Sequence, residues 1–172
     1  KPAARWLLYL KTMPKTLAAL AHSELIIKKS RFLGCVQPMA DRAGALMRVA
    51  ELRAQHPGAA HVCWALLAGG HSAANDDGEP SGTAGRPMLD VLRHQDLDGV
   101  LATVVRHYGS IQPGAAAWSA PTDSVARALL AAEKIAIFRM SMLHCAVPYA
   151  LEGLLRRETD MAGATLQQVS HG

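Results

Sequence analysis

The sequence predicts an α+β fold, a β-sheet layered against helices. Three observations carry that reading. Apolar runs of strand length occupy 24–29, 31–38, 60–68 and 100–105. Between and after them, apolar residues recur at helical spacing over 43–54, 86–95 and 122–130. One stretch, 75–87, breaks the pattern with glycines, carboxylates and hydroxyls, and reads as a loop that carries chemistry.

Residues 16–22 form a short apolar lead-in. Residues 24–29 read as a strand and 31–38 as a second, with Phe32, Gly34 and Val36 on one face. Lys28, Lys29 and Arg31 cluster where the two join. Asp41 suits a helix N-cap, and Ala43, Leu46, Met47, Ala50 and Ala54 follow at helical spacing. His56-Pro57-Gly58 stops that helix. Residues 60–68 are apolar enough for a central strand, with His61 as the exception. A loop over 69–85 leads into a helix over 86–95, with Pro87 suited to the first helical position and Met88, Leu89 and Leu92 facing inward. A turn at Asp96–Gly99 precedes a strand over 100–105, which delivers Arg106 and His107 to its end. Pro121–Ser124 starts a helix with Val125, Ala126, Leu129 and Leu130 on one face, and Glu133-Lys134 marks a domain boundary.

Beyond that boundary, 135–144 and 163–169 read as strands around a helix opened by Pro148. This strand–helix–strand unit is half of a ferredoxin-like domain and buries little surface. It must pack on the first domain, pair with a second copy of the chain, or continue past residue 172. Met13-Pro14-Lys15 resembles a natural start, so 1–12 reads as a leader or tag-like extension. The expected organisation is 1–12, then 13–134, then 135–172.

The formal charge is +4, but Lys1, Arg5 and Lys11 supply three of those charges within the first twelve residues. The rest is nearly neutral, so charge alone does not point to nucleic acid. Cys35, Cys63 and Cys145 are far apart and sit in apolar runs, which reads as buried, reduced thiols in a cytoplasmic protein. No Cys-x-x-Cys or His-x-x-x-His pair suggests zinc. The run at 5–10 is too short to span a bilayer, and no membrane partner or cofactor is expected.

Four readings of the 75–87 loop stand open. It is a structural turn rich in glycine and proline. It is an anion site, in which Gly78, Gly82 and Gly85 take positive φ and turn amides outward. Ser81 and Thr83 would then donate, and Arg86 would clamp at the helix start. It is a hard-cation site from Asp76, Asp77 and Glu79, although EF-hand spacing is absent. Or it is catalytic, with Ser81 as nucleophile, His61 as base and Asp76 or Asp77 orienting it.

The run Asp76-Asp77-Gly78-Glu79-Pro80-Ser81-Gly82-Thr83-Ala84-Gly85, followed by Arg86-Pro87-Met88-Leu89, resembles the signature of the YigZ/IMPACT family. Lys29-Ser30-Arg31-Phe32, His61-Val62-Cys63-Trp64-Ala65 and Val104-Val105-Arg106 flank it in the family's order. The resemblance implies an N-terminal domain with the fold of ribosomal protein S5 domain 2. It also implies a C-terminal domain like the last domain of elongation factor G. Residues 107–121 depart from the family pattern: Gln112 stands at a lysine position, and an arginine has no counterpart. The family's eukaryotic members are linked to translational control through the Gcn pathway, and nucleic-acid binding has been inferred for bacterial members from fold analogy. The resemblance also adds His61 to the ligand-binding set.

The resulting expectation is a non-enzymatic binding module contacting RNA, the ribosome or a translation regulator. Lys28, Lys29, Arg31, Arg86 and Arg106 would meet phosphates. The competing expectation is a hydrolase or small-molecule enzyme built on the loop with His61.

Overall fold

Five strands form one antiparallel sheet in the computed structural model, which describes residues 14–111 and 114–132. They are β1 (Ala21–Ile27), β2 (Ser30–Pro38), β3 (His61–Ala68), β4 (His71–Asn75) and β5 (Val100–His107), in the order β1-β2-β5-β3-β4. The helices are α1 (Arg42–Gln55), α2 (Gly85–His94) and α3 (Ala120–Ala132). The α+β class expected from the sequence is the class observed. The leader at 1–12 and the ferredoxin-like unit at 135–172 lie outside the described residues.

Strand β5 sits centrally, and its alternation sorts the core into two faces. Val100, Ala102 and Val104 join Phe32, Val36, Cys63 and Ala65 against Met88 and Leu92 of α2 and Val125, Ala128 and Leu129 of α3. Leu101 and Val105 point the other way, with Val62, Trp64 and Leu66, against Ala45, Val49 and Leu52 of α1. A period of two along one strand thus feeds both cores.

Local signals place most boundaries. Asp41 caps α1, its Oδ1 accepting from the Gly44 amide at 2.7 Å. Register pairs Ile27 with Ser30, which leaves Lys28-Lys29 as a two-residue turn. Both have positive φ, 45° and 64°, the type I′ geometry that matches strand twist. The first strand therefore starts earlier than expected and ends before the lysines.

Three expectations are corrected. The apolar stripe expected on α1 faces solvent, with Met47 67% exposed, while Ala45, Val49 and Leu52 are buried. On α3 the inward face is Ser124, Val125, Ala128 and Leu129, and Leu130 is 62% exposed. The loop expected over 69–85 contains β4, which pairs Ala68 with His71 across a Gly69-Gly70 turn.

Gly85 has no need of positive φ, because it begins α2. Its role is close approach: a Cβ there would lie 2.8 Å from the Asn75 backbone nitrogen and 3.0 Å from its carbonyl carbon. Gly85→Ala should destabilise the domain by about 1–3 kcal/mol through overpacking against an unyielding strand end, measured by urea unfolding. A neutral result would mean that α2 is not seated on β4.

Candidate functional site

The 76–85 loop folds around its own carboxylates. Asp76 Oδ1 accepts from the amides of Gly85 at 2.7 Å and Ala84 at 3.1 Å, and Oδ2 accepts from Gly82 at 2.8 Å. Ala84, the N-cap of α2, makes no side-chain cap. Asp76 does that work from eight residues upstream, placing a negative charge at the positive end of the helix. Burial pushes its carboxyl up, but the three amide hydrogen bonds outweigh this and hold it below the ordinary aspartate value.

Asp77 fastens the loop to β3. Its Oδ2 accepts from the Val62 amide and its Oδ1 from Arg53 Nη2, both at 2.7 Å. Its φ of 46° turns the chain so that its carbonyl meets His61 Nδ1 at 2.7 Å. A carbonyl only accepts, so neutral His61 carries its proton on Nδ1. Nε2 is then the acceptor for the Tyr108 hydroxyl at 3.1 Å.

Cys63 donates to the Asp76 carbonyl at 3.1 Å. Burial, followed by the carboxylates of Glu79, Asp77 and Asp76, pushes its thiol up to about 12 against a smaller opposing pull from Arg106. It is a structural pin and a poor nucleophile.

Glu79 reaches the end of β5. It accepts from Arg106 Nη1, and both side chains are 11% exposed. Register places His61 opposite Arg106, and His61 Nε2 lies 3.9 Å from Glu79 Oε1. The Arg106 guanidinium lies 5.2 Å from the Phe32 ring centroid and 4.7 Å from that of Tyr108. Its Nε is buried without a hydrogen-bond partner, held between those rings.

The site residues expected from sequence therefore separate. His61 and Arg106, assigned to different roles, come together with Glu79 and Tyr108. The Gly82 and Gly85 amides, expected to receive an outside anion, point inward to Asp76, which already fills that place. Gly78 and Gly82 do take positive φ. Ser81 is exposed, and Thr83 Oγ1 donates to the Pro80 carbonyl at 2.5 Å. The Arg86 side chain is 71% exposed, with its Nε 3.8 Å from Asp90 on the same helix.

Asp76, Asp77 and Glu79 are each spent on a separate set of partners, and no group of three metal-ligating side chains gathers among the described residues. No hydrogen bond joins Ser81 to His61 among the described residues. Asp77 orients His61 through its carbonyl, not its carboxylate. Arg31 is paired with Glu24 at 2.5 Å. Lys28 and Lys29 stand at the hairpin corner, with no ion pair among the described residues.

Sequence reading missed Tyr108 and the pairing role of Glu79. The signal for Tyr108 was present: an aromatic residue stands two positions after Arg106, just past the end of β5.

Comparison with known proteins agrees with this architecture. The family model described as the Impact N-terminal domain matches residues 28–130. An IMPACT family member from Haemophilus influenzae is 43% identical over 93 residues, 51% of this chain and 45% of that protein. The IMPACT family member YvyE of Bacillus subtilis is 31% identical over 160 residues, 91% of this chain and 74% of that protein. A crystal structure of a hypothetical protein superposes with a TM-score of 0.65 at 36% identity, over 68% of this chain and 60% of that one. The aligned part thus spans about half the length of the Haemophilus relative. With the signature loop pinned as described and the family model spanning most of the sheet, the chain belongs to the IMPACT family.

Proposed function

We propose that this chain is a non-enzymatic binding module that contacts RNA, as a free strand or within the ribosome, in the control of translation. The family resemblance supports the translational setting. One observation carries the binding surface: Lys28 and Lys29 project from a tight turn that abuts Gly109, next to exposed Tyr108. A Cβ on Gly109 would lie 2.3 Å from the Lys29 carbonyl, so the two segments touch. The Gly109 amide also donates to Ser30 Oγ at 3.3 Å. Arg106 is nearly buried against Glu79 and Arg31 is paired with Glu24, whereas the exposed turn lysines have no carboxylate partner among the described residues. Binding is favoured over catalysis because exposed Ser81, the candidate nucleophile, makes no hydrogen bond to His61 among the described residues.

A salt titration tests the proposal. Affinity for a fluorescent single-stranded RNA should fall as salt rises. Lys28→Gln with Lys29→Gln should flatten the log–log slope by about 1.4, two phosphate contacts at ~0.7 each. Salt-independent affinity, or no binding, would overturn the reading.

A further inference from the structure

Tyr108 is 58% exposed at the end of the central strand, yet its ring is held from three directions. Its hydroxyl is tied to His61 Nε2 at 3.1 Å. The His61 ring meets it edge-on, centroids 5.8 Å apart at 79°. The Arg106 guanidinium lies against it, itself backed by Phe32 and fixed by Glu79. An exposed aromatic ring ordinarily turns among rotamers, and that freedom is lost when a ligand stacks on it. Here the ring is ordered in advance by a nearly buried ion pair and a hydrogen bond. The next residue, Gly109, rests on the lysine turn, so positive charge lies beside the ring.

We infer that Tyr108 is a stacking platform for an unpaired nucleobase, so that the RNA held at this surface is single-stranded. The inference rests on the RNA-binding reading above and names the form of RNA. Bases within a duplex have both faces stacked already, whereas a flexible strand can lay one base on the ring while its phosphates reach Lys28 and Lys29. Little base specificity follows, since every base has a flat face.

The test uses the full chain and an RNA oligomer carrying one 2-aminopurine, single-stranded or annealed to its complement. Single-stranded RNA should bind more tightly than the duplex, with the 2-aminopurine fluorescence quenched by stacking. Tyr108→Leu should weaken binding about tenfold, in the range reported by removing one stacked aromatic, and leave the salt slope unchanged. Tyr108→Trp should bind at least as tightly as the parent, which keeps the test decisive even if the leucine variant unfolds. Failure of every RNA to bind would remove the RNA reading itself. Salt-dependent binding that ignores strandedness, with Tyr108→Leu and Tyr108→Trp both equal to the parent, would overturn the stacking role alone.

Discussion

Replacing Arg106 by methionine is expected to destabilise the domain by about 3–5 kcal/mol, because it strands the Glu79 carboxylate where little water reaches it. Both members of the pair are 11% exposed, and the guanidinium also fills the space between Phe32 and Tyr108. Methionine keeps much of the volume, so the loss reports the orphaned charge more than a cavity. The matching change supports that assignment. Combining Arg106→Met with Glu79→Leu should recover most of the loss, since removing a buried pair together is often neutral. Urea unfolding of both single variants and the double variant closes the cycle. Additive losses, or a single-variant loss below about 1 kcal/mol, would show a solvated pair with no hold on the ring of Tyr108.

The second large effect belongs to Asp76. Asp76→Ala removes the acceptor of three amides at once and should lower stability by about 2–4 kcal/mol, discounted because part of the loop meets water. Asp76→Asn keeps an oxygen for Ala84 and Gly85 but cannot offer a second one to Gly82, so its loss should fall between alanine and parent. The acid limb gives an independent check. Asp76 titrates lower in the folded chain than in the unfolded one, so its contribution is complete above about pH 4 and disappears as pH falls through the folded value. The asparagine variant lacks that limb, and its stability should decline less steeply in acid. Parallel acid profiles would mean that the carboxylate is not the cap.

How much was legible in the sequence depended on how many physical answers each pattern allowed. The central strands could be read because β3 and β5 carry near-continuous apolar runs over 62–68 and 100–105. Helix α1 could not be oriented, because small and medium apolar residues surround most of it. Which stripe turned inward was decided by Val62, Trp64 and Leu66 on the facing strand, a tertiary fact. Strand β4 carries no large apolar side chain, so periodicity was silent. The Gly69-Gly70 pair after an apolar run was the hairpin signal that went unread.

At the site, the loop's composition marked the right place. It could not show that the glycine amides would turn toward Asp76, because inward and outward turns share one sequence. The Glu79–Arg106 pair spans 27 positions and arises only when β5 lies beside β3. His61 and Arg106 were each visible; their register pairing was not.

The corner between β1 and β2 sets the comfort of the backbone against the use of its side chains. Two consecutive left-handed residues are easiest for Asn-Gly, and each lysine there gives up of order 1 kcal/mol that such a pair would keep. An engineer seeking a hardier scaffold would rewrite Lys28-Lys29 first, and would gain robustness while erasing the charge that reaches outward. The two properties are therefore separable at a single dipeptide, and this chain keeps the less comfortable one.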